Sequence, residues 1–288
     1  MENLTIALEN TGPHPVDVAG AEDGRATLDR IRADEGIGRA SCRFRVLRNN
    51  AKLKLDAGDV HAYGVTLAPA STSGIWNTCS WSTAGCEAAC ILDYAYQRAD
   101  NVRDSRRALT RFLAEDPAGF LAVLADEIEG KLAEHGAGRV AVRLNTASDL
   151  RWERFAPALF ERFAGRVMFY DYTKAPAAQR DLETDGYALT FSVSERARSL
   201  TDAAEYLRQG HGATVVLPVR YRSKTDKDAL PAELESAGMV DHDVHDVRSL
   251  DRGRLGMLRA KGSARSDESG FVRTVEDARR VLELAGLA

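Results

Sequence analysis

The chain has 288 residues, a formal net charge of −4, and 44% hydrophobic and 28% charged residues, which is typical of a globular protein with one large or two small domains. No stretch approaches the roughly 18 consecutive apolar residues of a membrane span, and the first residues do not resemble a secretion signal, so we expect a cytoplasmic protein with no membrane partner. The negative net charge excludes an overall basic field for nucleic-acid binding but allows a local basic surface.

Along the chain, polar segments give way to an alternation of strand-like and helical patterns. Residues 1–40 are rich in Gly, Asp and Pro and predict a loose leader with one helix at ATLDRIRAD. The first strand-like run is SCRFRVLR (41–48), in which Cys42 is interpreted as a packing residue. Six more follow: AYGVTLAP (62–69), RVAVRLNT (139–146), RVMFYDYT (166–173), YALTFSVS (187–194), ATVVLPVR (213–220) and LGMLRAK (255–261). The helical patterns between these runs are DSRRALTRFLA, PAGFLAVLADEIEGKLAEHG, WERFAPALFERFAG and SLTDAAEYLRQG.

This alternation predicts βαβ connections and a parallel sheet. Neither GxGxxG nor GxxxxGKS/T occurs, so nucleotide-binding folds marked by those motifs lose support. Polar residues stand at the carboxyl end of one predicted strand after another, where α/β barrels build their active sites. We therefore predict an α/β fold, a partial or full parallel (β/α)6-type barrel in a single domain over residues 41–288, preceded by an irregular leader over residues 1–40.

These strand-end residues form the predicted site. The predicted catalytic residues are Asp149, Asp171 and Lys174, because an acid near a lysine can transfer protons. The residues predicted to bind the polar groups of a small-molecule cofactor are Asn145, Ser148, Ser192, Ser194, Glu195 and Lys261. Structural alternatives stay open: helix capping by Ser148 or Glu195, and a salt bridge between Asp171 and Lys174.

Three of the four cysteines lie in one loop, NTCSWSTAGCEAAC (77–90), with the spacing C-x6-C-x3-C. Cys86 and Cys90 are four residues apart, so on a helix starting near Gly85 they would share a face, with Cys79 folding back over them. Thiolates suit zinc or an iron–sulfur cluster. Three alternatives remain: a [4Fe–4S] cluster with one open iron, zinc with a distant histidine, or thiols without a metal. The histidines considered for zinc are His61, His242 and His245.

Two polar segments late in the chain carry weaker signals. DHDVHDVR (241–248) alternates Asp and His, which would allow a metal site, but a solvated loop is the favoured interpretation. RYRSKTDK (220–227) is a basic loop after the fifth strand of the series, and it is the best candidate for contact with phosphate or nucleic acid.

The position of the cysteine loop, directly after the first strand of a six-fold βα series, resembles that of radical S-adenosylmethionine enzymes. In that family three cysteines bind a [4Fe–4S] cluster, whose fourth iron binds S-adenosylmethionine, but the usual spacing is C-x3-C-x2-C. A closer resemblance is to the phage-encoded gene product 88 family, uncharacterised three-cysteine proteins. It rests on the order of NTCSWSTAGCEAAC, VRLNTASDLRWE, MFYDYTKAP, LTFSVSE and LRAKG, and it spans about residues 60–262.

The resemblance implies a barrel with a [4Fe–4S] cluster on Cys79, Cys86 and Cys90, and an infected host cell as the cellular context. The first hypothesis is accordingly a radical S-adenosylmethionine-like enzyme that modifies a nucleic-acid base or nucleotide. The second is a zinc-containing base-exchange enzyme similar to guanine transglycosylases, with Asp149 or Asp171 as nucleophile. The third is a zinc-stapled binding protein without enzymatic activity.

Overall fold

The computed structural model describes residues 2–37, 45–49, 53, 57–93 and 95–288. Cys42 and part of the predicted strand 41–48 lie outside these residues. The described strands are β1 (Glu2–Asn3), β2 (Leu47–Arg48), β3 (His61–Val65), β4 (Trp76–Asn77), β5 (Val140–Arg143), β6 (Val167–Thr173), β7 (Tyr187–Ser192), β8 (Gly212–Leu217), β9 (Val240–Asp241) and β10 (Leu255–Arg259).

The helices are mostly those that the apolar spacing predicts. They are α1 (Leu4–Asn10), α2 (Ala21–Asp34), α3 (Ala84–Ala88), α4 (Asp100–Glu115), α5 (Pro117–His135), α6 (Trp152–Phe155), α7 (Pro157–Phe163), α8 (Ser199–Arg208), α9 (Ala232–Ser236) and α10 (Val275–Ala285). The pattern WERFAPALFERFAG forms two helices instead of one, because Pro157 begins α7 and has no N–H to continue α6. Within the described ranges, no helix combines the length and apolar content needed to cross a bilayer.

The sheet confirms the predicted α/β class and its largely parallel order. Eight strands follow the order β2-β3-β5-β6-β7-β8-β10-β9. All six strands of the predicted series, β3, β5, β6, β7, β8 and β10, pair in parallel with their neighbours in chain order. At the edges, β2 is antiparallel to β3, and β9 is parallel to β10. No pairing joins β2 to β9 in the described part of the chain, so the barrel closure allowed by the prediction is not found.

One face of the sheet is covered by helices. Along β5 the side chains alternate, so Val140 and Val142 join the main apolar core while Ala141 faces the opposite side. The same core contains buried residues of α4, α5, α7, α8 and α10. The leader is more regular than the sequence predicts, because α1 and α2 bury Leu4, Leu8, Leu28 and Ile31 in this core.

The opposite face of the sheet is covered by residues 241–251, which we name the plug segment. Val247 packs on small strand residues, among them Ala62, Ala141 and Ala188. The short 3-10 helix Arg248–Asp251 at the end of the plug contacts β6 and β7. The favoured expectation of a solvated loop is wrong here, because His242, Asp243, Asp246, Val247 and Arg248 are all buried.

Charge pairing makes burial of the polar plug segment possible. Asp246 accepts hydrogen bonds from Arg143 Nη1 at 3.0 and 3.2 Å and from Tyr170 Oη at 3.2 Å. Burial acts to lower the pKa of Arg143, but the adjacent Asp246 carboxylate outweighs it and keeps the pKa raised. Arg143 also lies over the ring of Tyr172, 4.7 Å from its centroid. An ionised pair is therefore buried between β5, β6 and the plug.

Candidate functional site

The predicted site residues follow strands whose carboxyl ends lie along one edge of the sheet, which we name the mouth. β3 leads into the cysteine loop, β5 into Asn145 and Asp149, and β6 into Lys174. β7 leads into Glu195 and β10 into Lys261. The parallel order of these strands thus brings together side chains that are far apart in sequence.

The start of the cysteine loop is fixed between the exits of β3 and β5. The Thr78 hydroxyl donates to the carbonyl of Ala68 at 2.6 Å, and the Thr78 carbonyl accepts from the N–H of Asp149 at 2.8 Å. The Cys79 N–H donates to Asn77 Oδ1 at 2.9 Å. Cys79 is therefore held beside the loop that follows β5.

Helix α3 bridges the carboxyl ends of β7 and β10. At its start, Glu195 accepts hydrogen bonds from the N–H of Gly85 and from the Thr83 hydroxyl, both at 2.8 Å. At its end, the Ser263 hydroxyl donates to the carbonyl of Ala88 at 2.8 Å. Burial acts to raise the pKa of Glu195, but hydrogen bonds from its own N–H, from Gly85 and from Thr83 outweigh it and lower the pKa. The capping role weighed for Glu195 is thus directed to α3, not to the helix that follows it.

Gly85 allows α3 to dock this closely. A Cβ at this position would lie 2.2 Å from Ser269 Oγ and 2.8 Å from Phe271 Cβ. Such distances are far below van der Waals contact, so a side chain here would push α3 away from the mouth.

The three thiols of the loop occupy different surroundings. Cys79 Sγ accepts from the N–H of Ala70 at 3.1 Å and donates to the carbonyl of Ala147 at 3.3 Å. Burial raises the pKa of Cys79 to about 12, and the charges of Asp149 and Cys86 add to the rise. Cys79 is therefore protonated at neutral pH unless a metal or a cation stabilises its thiolate.

Cys86 and Cys90 differ from Cys79 and from each other. Cys86 packs with Val216, Ala260 and Phe271, so its thiol faces the apolar side of the mouth. Cys90 lies close enough to Arg106 of α4 for the two to interact: burial lowers the pKa of that guanidinium, and the charge of Cys90 acts against the change. Helix α3 ends at Ala88, so Cys86 and Cys90 do not share a helical face as the spacing predicts.

The described conformation does not assemble a metal site from these thiols. Over the described ranges, no three His, Cys, Asp or Glu side chains are placed to hold one ion. The histidines considered for zinc also lie elsewhere. The His61 ring stacks on His135 at 3.8 Å at the start of β3, and His242 Nδ1 is 3.1 Å from Thr214 Oγ1 in the plug. The soft donors that the loop itself can offer are its three thiols, beside the Glu87 carboxylate, which accepts from the Ser82 hydroxyl.

Asp171 and Asn145 form a buried hydrogen-bonded unit beneath the mouth. Asp171 accepts from the N–H of Asn145 and from the Tyr187 hydroxyl, both at 2.6 Å. Asn145 Oδ1 accepts from the Ser148 hydroxyl at 2.8 Å and from Trp152 Nε1 at 3.0 Å. Ser148 therefore supports Asn145 and does not cap α6, which begins at Trp152. These contacts fix Asp171, Asn145 and Ser148 in one buried network.

Burial gives Asp171 a predictable effect on stability. Burial raises the pKa of Asp171 to about 7, against hydrogen bonds from Tyr187 and Asn145 that lower it. The folded state therefore keeps a proton that the unfolded chain releases near pH 4, so the stabilisation is full below pH 4 and is lost as pH rises to 7. Between pH 4 and 7 this proton should cost the wild type up to about 4 kcal/mol of its free energy of unfolding. The Asp171→Asn variant carries no titrating group at this position, so we expect it to lack this decrease. Urea unfolding between pH 4.5 and 7.5 tests this prediction. Plots of the free energy of unfolding against pH that run parallel for the variant and the wild type would contradict it.

Asp149 is also occupied by structural partners. Its carboxylate accepts from the N–H of Lys174 at 2.8 Å and from Arg180 Nη1 at 3.1 Å. Arg180 in turn binds Glu153 through Nε at 2.7 Å and Nη2 at 3.0 Å. This network ties the loop after β5 to the loop after β6.

Lys174 is the predicted catalytic residue that faces the mouth. Its Nζ is 3.0 Å from Ser192 Oγ and lies over the ring of Phe271, 5.5 Å from the centroid. It does not pair with Asp171, which excludes the salt bridge weighed for FYDYTK. Ser194 is buried, with its N–H bonded to Ser199 Oγ at 2.8 Å, and Lys261 Nζ pairs with Asp243 of the plug. Lys174 and Ser192 thus form a half-buried polar pair at the mouth, and the charge of Lys174 acts to lower the pKa of Glu195, which anchors α3.

Sequence reasoning did not identify Arg180, Glu153, Tyr187 or Phe271. Arg180 and Glu153 lie in ordinary polar segments, and only the structure shows that both side chains are completely buried. Phe271 belongs to a segment without a strand or helix pattern, so no periodicity marks it as part of the mouth.

A known protein family matches the part of the chain that contains these motifs. The family model described as Gene product 88 matches residues 44–275. The chain belongs to the gene product 88 family. The match includes the cysteine loop and every strand end described above, so the family resemblance drawn from the sequence is confirmed. The gene product 88 match gives no support to the likeness with radical S-adenosylmethionine enzymes. Searches of curated proteins and of solved structures gave no match.

Proposed function

We propose that the chain is an iron–sulfur enzyme whose centre is bound by Cys79, Cys86 and Cys90 at the mouth of the sheet. The observation that carries the proposal is the docking of the three-thiol loop: α3 is anchored to Glu195 after β7 and to Ser263 after β10. A loop held there covers the carboxyl ends of the strands, where α/β enzymes act. Three thiols in one loop suit a cluster with one open iron better than structural zinc, which prefers four protein ligands.

The proposal requires one local rearrangement. Cys79 and Cys86 interact electrostatically, whereas Cys90 lies beyond the end of α3 beside Arg106. The chain after Ala88 must therefore turn back before three thiolates can meet. Binding must also remove the proton that burial holds on Cys79, so we propose that assembly of the centre is favoured by higher pH.

The residues around the thiols support a polar ligand beside them. When bound, the centre would offer a coordination position to a ligand, for which we propose S-adenosylmethionine. Lys174 supplies a positive charge that suits a carboxylate, and Ser192 holds its ammonium group in place. Phe271 and Val216 exclude water from the side on which Cys86 lies. A nucleotide or a nucleic-acid base is the substrate class that we propose.

The zinc-dependent base-exchange alternative is weaker on two observations. Both candidate nucleophiles have their carboxylate oxygens engaged: Asp171 by Tyr187 and Asn145, and Asp149 by Arg180 and Lys174. A nucleophile instead needs an unoccupied oxygen directed at the substrate. The histidines considered as zinc ligands are also placed elsewhere, as described above.

Iron, sulfide and zinc per chain, measured on anaerobically purified protein, test the proposal. We expect about four irons and four sulfides per chain with absorbance near 400 nm, as a [4Fe–4S] centre requires. Cys79→Ser, Cys86→Ser and Cys90→Ser should each lose most of the iron, because thiolates are the ligands.

Cys42→Ser is the matched control, since it removes the one cysteine outside the loop and should leave the iron content unchanged. Colourless protein with one zinc per chain would support the zinc-stapled binding protein instead. Protein with neither metal, even after anaerobic reconstitution with iron and sulfide, would overturn the proposed centre.

A further inference from the structure

A second feature of the mouth is a pocket beside the loop that follows β8. It has a volume of about 290 Å³ and is lined by Pro218, Val219, Arg220, Tyr221, Arg222, Ala260 and Arg265. Three of the seven lining residues are arginines. The pocket is half open to solvent, which suits a group held at the surface, and guanidinium groups are the side chains that best match phosphate oxygens.

The pocket adjoins the cysteine loop. Ala260 lines the pocket and also belongs to the apolar cluster that contains Cys86 and Phe271. The pocket lies at the carboxyl ends of β8 and β10; β10 also leads to the Ser263 anchor of α3, and Val216 of β8 packs with Cys86. A ligand in the pocket would thus lie on the same side of the sheet as Cys86.

The loop around the pocket is ordered by its own hydrogen bonds. The N–H of Asp228 donates to the carbonyl of Arg220 at 3.1 Å, and the N–H of Arg222 donates to the carbonyl of Asp226 at 2.9 Å. Arg265 donates to the carbonyl of Tyr221, which ties the segment after β10 to this loop. The arginines are therefore held by a fixed backbone, which lowers the entropic cost of binding a ligand.

The guanidinium groups keep donors for a ligand. Arg220 spends donors on Asp226 at 2.8 Å and on Asp228 at 3.1 Å. The Arg222 guanidinium makes a weaker contact, because its Nε is 3.9 Å from Asp226 Oδ2 and its side chain is 72% exposed. A guanidinium has five N–H donors, so these contacts leave several unused on each arginine. The Lys261 Nζ lies 4.2 Å from the centroid of the Tyr221 ring, but its charge is already paired with Asp243 of the plug, so the arginines remain the main donors.

We propose that this pocket binds a phosphate group of a nucleotide or of a nucleic-acid strand, with Arg222 and Arg265 as its main contacts. Phosphate binding by the pocket does not depend on the proposed function. Only the further step, that this phosphate belongs to the substrate that reaches the thiols, rests on it. Arg220 and its two aspartates hold the loop, whereas Arg222 and Arg265 direct their remaining donors to the ligand. Because Ala260 is shared by the pocket and by the cluster that contains Cys86, the placement favours a substrate whose phosphate stays outside while its base enters the mouth.

Binding of two probes tests the pocket: AMP by calorimetry, and a short fluorescein-labelled single-stranded DNA by anisotropy. We expect Arg222→Ala and Arg265→Ala each to weaken binding about ten-fold, because each removes charged hydrogen bonds to phosphate. The salt dependence of DNA binding should become shallower in both variants. Arg280→Ala is the matched control: it removes one exposed arginine on α10, which pairs with Glu283, and should leave affinity unchanged.

The results distinguish a nucleotide from a nucleic-acid strand as the source of the phosphate, and they test the pocket separately from the iron–sulfur centre. AMP and DNA bound with equal affinity indicate a single-phosphate site, whereas DNA bound alone indicates a strand. Binding of neither probe, or an equal loss in the Arg280→Ala control, would overturn the pocket assignment. Repeating the titrations on the Cys79→Ser/Cys86→Ser/Cys90→Ser protein shows whether phosphate binding survives without the centre, so a failed iron assay does not decide this question. Thermal unfolding confirms that each variant is folded.

Discussion

Arg180→Leu is expected to lower the free energy of unfolding by about 3–5 kcal/mol, because it leaves buried carboxylates without their cation. Arg180 binds both oxygens of Glu153, and neither side chain is exposed. Its other carboxylate partner is Asp149, whose side chain is only 10% exposed, and it also donates to the Thr173 and Tyr187 hydroxyls. Leucine keeps much of the side-chain volume, so the loss measures the unpaired charge more than a cavity. Urea unfolding at pH 7 gives the value.

Arg162→Leu is the matched control for this experiment. Arg162 pairs with Glu129 at 3.3 Å on the surface of α7, where both side chains are about one-third exposed. A surface pair of this kind contributes about 0–1 kcal/mol. The double variant Arg180→Met/Glu153→Leu should be more stable than Arg180→Leu, because it no longer buries the Glu153 carboxylate without a cation. Equal losses for Arg180→Leu and Arg162→Leu would contradict the buried network.

Gly256→Ala is expected to destabilise the protein by about 1–3 kcal/mol through overpacking. A Cβ on Gly256 would lie 2.1 Å from Cε1 and Nε2 of His242, whose ring is buried against the strand. The ring cannot move away easily, because the His242 N–H donates to the carbonyl of Met257 at 2.9 Å and fixes the start of the plug segment. Chemical denaturation measures the effect.

Two further variants show whether the cause is this contact. Gly130→Ala in α5 meets no atom within 4 Å and should stabilise the protein by about 0.5–1 kcal/mol, because alanine favours helix. Gly256→Ala combined with His242→Ala should be less destabilised than the sum of the two single changes. Additive losses would mean that the ring is not the obstacle.

The hydrophobic runs were sufficient to predict the strands of the parallel series. YALTFSVS and ATVVLPVR become β7 and β8 because each is an apolar run too short for a helix. The carboxyl ends of those strands also located the mouth, since parallel strands necessarily align their ends. This much requires no knowledge of distant contacts.

The same pattern could not tell which polar residues at the mouth are occupied. Asp171 and Lys174 stand three residues apart on the same strand end, yet one is sealed by Tyr187 and the other faces the cysteine loop. Their partners lie on other strands, so spacing along the chain carries no information about them. Cys90 shows a similar limit, because its predicted place on a helix depended on α3 continuing beyond Ala88.

The sequence predicts a solvated loop where the structure has the buried plug segment, because the partners that allow its burial are distant in the chain. Alternating Asp and His without an apolar face resembles a solvated loop, because burying such residues is costly unless each charge has a partner. The partners exist, but Arg143 is 103 residues from Asp246 in the chain. Arg259 binds Asp243 from β10, again outside the motif. Pairings of this kind emerge only when the sheet is assembled.

The plug segment also limits how the protein can be altered or inhibited. Residues 241–251 pack on the face of the sheet opposite the helices, so neither face of the sheet is open to a ligand at the plug, and the strand-end loops are the surface where we propose that ligands bind. Under the proposed function, selectivity resides in the cysteine loop and in the loop that holds Arg222, neither of which contains a member of the buried Arg143–Asp246 pair. Related chains with different substrates should accordingly differ in these loops and share the interior.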